Sequence, residues 1–599
     1  MTAPSRTAQR LVLRGYGPLA GLVVLLLFLT VLVPSRPLTV GAGFASPGSV
    51  PASPVPVADA GADTGAAAGD VITDATVPAT GAAGAGTTGV TAGAARGPAT
   101  SGPFARTGAG APGSAPARGP AATGPAGGSG PAVVAGADCS GGTRQDGNSP
   151  YSPPCLDWRA TDNGGATIRG VTKDTITIAM RENPNQGRNN DSELAKKAKE
   201  KGLTDTQEDK VRTRDALLEY FNTHYQLYGR KVKLVTYTGR GDMVKEFGGG
   251  GQEEANADAL KVGQEIGAFA DLSAISQPYL DALVRQKVVA FGGLHMPQSY
   301  YQARAPYAWG QLIDCTSLVE NAIDLMAKRF KPNTPAARAG STAMRQKPRR
   351  FGVLVPDDPI YRQCLDEGRP RLKAAGIDIA KEIDYALDFS KMQQEAPNIA
   401  AQLKDAGVTT VVLITDPALP YFLTGAATQQ DYWPEWVVTG TVLTDVDILG
   451  QFYDQDQWQF AYGQSFLSDI FQGKDSESYR AYKAVRQDEP AITRDQYYYS
   501  FLMLFIGLQM AGPNLTPQTF QAGMFAYPAR TGSFGRWSFS PTDYTASDDA
   551  REIYWDRNAL SAFNNKPGRY VTLNGGRRFR GGTWPAEAPP APIPPPAAP

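Results

Sequence analysis

The chain has 599 residues, with 58 Lys+Arg balanced by 58 Asp+Glu and a formal net charge of zero. No basic excess is available to neutralise phosphates, which argues against nucleic acid as a partner. Two histidines (His224 and His295), four cysteines and no His/Cys cluster argue equally against a metal centre, and no cofactor is expected.

Arg6, Arg10 and Arg14 precede an apolar run from Tyr16 to Val33. Positive charge ahead of such a run keeps the N-terminus in the cytoplasm and sends the rest outward. The run is about 18 residues, between a long signal-peptide core and a short membrane helix. Residues 1–36 are therefore read as a cleaved signal or a membrane anchor. Residues 37–137 are rich in Ala, Gly, Pro, Ser and Thr and bury too little apolar area to offset chain entropy, so a disordered linker is expected. About 100 such residues reach on the order of 55 Å. An exported chain favours disulfides. The expected pairs are Cys139–Cys155, clasping a segment over 138–169, and Cys315–Cys364; four buried free thiols are the alternative. The Pro/Ala-rich tail, 585–599, is expected to be unfolded.

Between these ends, strand and helix patterns alternate. Val171–Ala179 reads as a strand, followed by a polar insertion over 183–206 that carries Lys196, Lys197, Lys199 and Lys201 as a solvated face. Val211–Tyr228 has helical spacing, Lys231–Tyr237 is a strand, and Glu253–Ile266 is a helix. Phe269–Ile275, Tyr279–Gln286 and Val288–Phe291 complete a first run. A second run has helices at Ser317–Phe330, Ile360–Ala375, Ala396–Ala406 and Leu419–Gln430. Its strands are Arg350–Val355, Ile379–Tyr385, Val408–Thr415 and Trp436–Thr441. Two such runs imply an α/β fold with two doubly wound parallel-sheet lobes.

The element order resembles the type I periplasmic-binding-protein family, as in branched-chain amino-acid receptors of ABC importers. The resemblance rests on Gly170–Ile178, on Arg350–Asp358 followed by Tyr361, and on Asp495–Tyr499 leading into Leu502–Leu508. It implies two lobes joined by a three-strand hinge, with residues 170–310 and 460–545 in lobe one. Lobe two takes 311–459, and a segment over 546–584 returns toward it. It also places a ligand at the C-terminal ends of both sheets, where helix N-termini offer free N–H groups.

Candidate ligand contacts follow from those strand ends. Ser276 and Gln277 lie after the Phe269–Ile275 strand, and Ser276 is either a helix cap or a ligand-binding hydroxyl. Leu294 and His295 follow the next strand, at a place where amino-acid receptors tend to carry Ala and Thr. Tyr361 matches the aromatic that the family lays over its ligand, or is a half-buried helix tyrosine. Asp416 either receives an ammonium or caps its helix; Tyr421 and Thr441 complete the set, and Asp445 is expected in solvent. Of Tyr497–Tyr499, most is expected in the core, because neighbours on a helix point in different directions. Gly248–Gly251 lacks the Gly-Lys-Ser/Thr of a phosphate loop and reads as a long turn.

The usual hydrolytic constellations lack parts, so no enzyme is expected; a carboxylate-pair hydrolase is the least favoured alternative. The reading is an extracytoplasmic protein that closes around a small solute, an amino acid or related small carboxylate or amide. It would deliver that solute to an ABC permease, with the N-terminal segment as its link to the membrane. A ligand-sensing clamshell that signals to a membrane partner is the alternative.

Overall fold

Strands buried on both faces cannot alternate polar and apolar residues, and in this chain they do not. β3 (Ala270–Ala274), β4 (Val289–Gly292), β8 (Thr410–Leu413) and β9 (Glu435–Val438) are buried at every position. β2 (Lys231–Thr238) and β7 (Ile379–Tyr385) retain exposed or half-buried residues, as edge strands do. The computed structural model describes residues 143–183, 205–469, 473–587 and 591–597. The apolar run of 1–36, the linker, Cys139 and Lys196–Lys201 lie outside the described residues. Among the described residues no helix is long and apolar enough to cross a membrane.

The first sheet has the order β2-β1-β3-β4-β5, with β1 at Thr175–Glu182 and β5 at Ala308–Trp309, and every pairing is parallel. The second runs β14-β13-β10-β9-β8-β6-β7, with β6 at Phe351–Pro356, β10 at Ala461–Ser465, β13 at Ala550–Leu560 and β14 at Pro567–Thr572. Its β7-β6-β8-β9-β10 part is parallel and repeats the order of the first sheet; β13 and β14 add antiparallel strands, and β15 (Arg578–Phe579) pairs with β13. A separate hairpin joins β11 (Arg530–Gly532) and β12 (Gly535–Trp537). Two doubly wound α/β lobes result. Their crossing segments pair at Gly310 and Thr545, where the Gly310 N–H donates to the Tyr544 carbonyl at 3.0 Å.

Helix Arg494–Ala511 is apolar nearly all round and is buried against helix Gln207–His224. Tyr497 and Tyr498 lie in that core, and Tyr499 packs at its margin. The segment ahead of β1 is part of the same body: Tyr151 is fully buried and stacks on Trp537 at 4.5 Å. In lobe two, Cys315 and Cys364 form a disulfide between helices Cys315–Arg329 and Pro359–Ala374, with Cα atoms 5.9 Å apart. Cys155 is also disulfide-bonded.

Two boundaries differ from the sequence reading. Ala461–Ser465, expected in lobe one, ladders onto β9 in the second sheet, because a strand buried at all positions needs a partner for its backbone groups. Residues 591–597, expected to be unfolded, lie against lobe two. The Arg338 guanidinium donates to the Pro592 carbonyl at 2.9 Å, and the Ala597 N–H donates to the Gly340 carbonyl at 2.7 Å. A proline run is extended before it docks, so its carbonyls can meet such donors at little entropic cost.

Ser149 donates to Glu477 at 2.6 Å, and burial pushes the Glu477 carboxyl up to about 7. A carboxyl raised in the folded state favours folding at low pH, and that contribution is lost as pH rises from the unfolded value through the folded one. The Glu477→Gln variant should therefore show a flatter profile between pH 4.5 and 8. The expected difference from wild type is on the order of 3 kcal/mol across that window, read from chemical denaturation at each pH. Parallel curves would remove Glu477 as the cause.

Candidate functional site

The C-terminal ends of β1, β3 and β4 carry the polar groups of lobe one. At the end of β1, Arg181 is buried and clasps Glu246 through two bonds of 2.7 Å; it also reaches Asp258 at 3.2 Å. Glu246 belongs to the short helix Met243–Phe247. The guanidinium carbon lies 3.8 Å from the centre of the Tyr279 ring, whose hydroxyl donates to Asp271 at 2.8 Å. Burial pushes Asp271 up to about 6, while bonds from Ser273, Tyr279 and the backbone pull the other way. Ser276 takes the cap position of helix Gln277–Arg285 but makes no cap bond; its hydroxyl donates to Glu246. Gln277 is half-buried at the first position of that helix.

After β4 the chain turns at Gly292 (φ 154°), where a Cβ would stand 2.1 Å from the Ala274 carbonyl oxygen. Leu294 is buried in this turn, and His295 is fully buried with φ at 52°. A non-glycine residue held there costs about 1–3 kcal/mol. His295 Nδ1 lies 2.7 Å from the Ile313 carbonyl oxygen, which only accepts, so Nδ1 carries the proton. That leaves Nε2 as a lone-pair acceptor, and it is buried with no hydrogen-bond partner. Burial pushes the ring's pKa down to about 4, so the ring is neutral at pH 7.

In lobe two, Asp416 accepts from the Ala418 N–H at 2.7 Å and from the Tyr385 hydroxyl at 2.6 Å. Of its two expected roles it takes the cap, and both oxygens are engaged. Tyr361, in the first turn of its helix, packs into an apolar cluster with Cys315 and Cys364. Tyr421 is half-buried beside Phe422, with ring centres 5.1 Å apart. Thr441 shares a 2.7 Å hydroxyl contact with Thr439.

Asp445 corrects the sequence reading. Expected in solvent, it is only 3% exposed, and neither carboxylate oxygen has a hydrogen-bond partner. Burial pushes it up to about 6, while Ser465, its own backbone and the Arg551 and Arg578 charges lower it in part. The loop that holds it is strained, with Val442 at φ 49° and Leu443 at φ 65°. The Thr444 and Tyr453 hydroxyls are also buried without partners. Phe466, just past β10, connects the two lobes' groups. Its ring meets His295 edge to face at 5.4 Å, and a Cβ on Gly440 (φ 85°) would lie 3.4 Å from both Phe466 and Asp445 Oδ2.

A family model described as periplasmic binding protein matches residues 200–559. The chain belongs to the periplasmic binding protein family. Membership implies an extracytoplasmic location for the protein. Solved structures similar to this periplasmic binding protein include a solute-binding protein of an ABC transporter from Rhodopseudomonas palustris HaA2 in complex with p-hydroxybenzoic acid. It is 12% identical, with 68% of this chain and 98% of that chain covered and a TM-score of 0.48. A fatty acid ABC transporter substrate-binding protein from Thermomonospora curvata is 12% identical over 68% and 93% of the two chains, with a TM-score of 0.47. An ABC transporter substrate-binding protein from Desulfitobacterium hafniense in complex with Leu is 11% identical over 67% and 100%, with a TM-score of 0.44. No curated protein matches the sequence.

In this periplasmic binding protein the expected contacts separate into three groups. Leu294 and His295 stand at the junction of the lobes. Tyr361, Asp416, Tyr421 and Thr441 belong to lobe two; in lobe one Ser276 joins the Arg181–Glu246 network, and Gln277 sits half-buried beside it at the start of its helix. Phe466, Arg181 and Glu246 were not singled out from the sequence, and Asp445 was placed in solvent. Arg181 left one local signal, charge at the end of a buried strand, where Glu182 follows it.

Proposed function

We propose that this periplasmic binding protein holds a small solute between its lobes on the outer side of the cytoplasmic membrane and delivers it to an ABC permease, the N-terminal segment serving as anchor or export signal. The observation that carries this reading is that unsatisfied buried acceptors from both lobes lie near Phe466: His295 Nε2 from one lobe and the Asp445 carboxylate from the other. A buried polar group without a partner costs about 1–3 kcal/mol, more when charged, and a solute that bonds both lobes removes that cost only in the closed state. Amino acids and related carboxylates or amides were the solutes read from the sequence. The Ser276 hydroxyl expected to meet a carboxylate is already directed at Glu246.

Thermal-shift screening of the full chain against a metabolite library should find a solute that raises Tm by several degrees. Small-angle scattering with that solute should show a smaller radius of gyration. A protein whose Tm and dimensions respond to no solute would overturn the reading.

A further inference from the structure

We infer that the solute is a small amine- or guanidinium-bearing cation, received by the Asp445 carboxylate and the His295 Nε2 lone pair across the Phe466 ring; this rests on the solute-binding reading above. Three of the unpartnered atoms can only accept, while the Thr444 and Tyr453 hydroxyls near them can donate or accept. Asp445 Oδ1 and Oδ2 and His295 Nε2 all accept, and each is buried. Only a guest rich in N–H or O–H donors completes them, and a carboxylate would set lone pair against lone pair.

Charge narrows the class further. Asp445 borders a cavity of about 30 Å³ inside lobe two, which Asp447, Asp469, Arg551 and Arg569 also line and which His295 and Phe466 do not. The neighbouring arginines make no hydrogen bond to Asp445. Arg551 donates to the Leu467 carbonyl at 2.8 Å, to the Ser468 carbonyl at 3.4 Å and to the Thr572 hydroxyl. Arg578 donates to Asp549 at 2.8 Å and to the Leu467 carbonyl at 3.1 Å. An aromatic ring beside the carboxylate adds attraction for a cation.

Among the described residues, the strand ends of lobe one offer no free anion site. The start of helix Gln277–Arg285 is a place where a carboxylate is expected to bind. The protein's own Glu246 carboxylate accepts from Ser276 there, and Arg181 holds it with two 2.7 Å bonds. Arg181 and Glu246 are both buried, so a solute carboxylate finds that position filled. His295, neutral at pH 7, and Asp445, raised by burial without a bonded cation, are the states such a guest would meet.

The test titrates the full chain with 1,4-diaminobutane, agmatine, benzamidine, benzoate, L-leucine and sorbitol, reading Tm and calorimetric Kd. One or more of the three amine or guanidine probes should raise Tm. Asp445→Asn should raise the Kd of the responding probe at least tenfold while leaving the apo Tm equal or higher. A response confined to benzoate, leucine or sorbitol and indifferent to Asp445→Asn would overturn the inference and leave the solute-binding reading standing. An apo Tm that falls by more than a few degrees in Asp445→Asn would assign the carboxylate to the fold and also overturn it. If neither these probes nor the metabolite library moves Tm or scattering, both fall together.

Discussion

Arg181→Met should lower the apo Tm by roughly 10 °C, a loss of about 3–5 kcal/mol. Among the described residues Arg181 is the cation in contact with both Glu246 and Asp258, and all three side chains are buried. Breaking a buried pair is far costlier than never having built it, because the stranded charge keeps its desolvation cost and loses its compensation. Two carboxylates would be stranded, together with the ring contact on Tyr279. The deficit should shrink in Arg181→Met/Glu246→Gln, which removes one of them. Denaturation of the single and double variants measures the coupling, and additive losses would show that the network is not energetically coupled.

Cys315→Ser should cost about 4 kcal/mol, the second large effect. The bond spans a sequence separation of 49 residues, and closing a loop of that length removes entropy from the unfolded chain worth roughly that amount. It also ties together the two helices that cover one face of the second sheet. Val319, Ile323, Leu365 and Leu372 from those helices line a small apolar cavity above Val353, Val412 and Ile414, so the layer is already slightly underpacked. Without the crosslink, amide hydrogen exchange should accelerate in Cys315–Arg329 and Pro359–Ala374, while helix Arg494–Ala511 in lobe one stays protected. The same Tm with and without reductant in the wild-type protein would refute the assignment.

What was legible beforehand follows from range. The alternation of strand and helix, the two runs, the apolar helix near Tyr498 and the caps are written within a few neighbouring residues, and they appear in the fold. The ends of elements moved by a few residues: the first strand was read at Val171–Ala179 and forms at Thr175–Glu182. The assignment of Ala461–Ser465 failed because a five-residue strand carries no mark of which sheet it joins. The C-terminal proline run misled for a related reason, since composition measures what a segment can bury by itself and not what arginines elsewhere offer its carbonyls.

The site was less legible. His295 and Asp416 were found from their places at strand ends, but their roles were decided by partners distant in the chain. Arg181 and Glu246 are 65 residues apart and form one of the most buried ion pairs in the protein. Asp445 looks like any loop aspartate until Phe466, Arg551 and Tyr453 close over it. By itself the sequence determined the kind of fold, because hydrophobic periodicity acts locally. Only the tertiary structure decided which carboxylate is satisfied within the protein and which is buried without a partner. Burial and hydrogen bonding depend on atoms that folding alone brings within about 3 Å of one another.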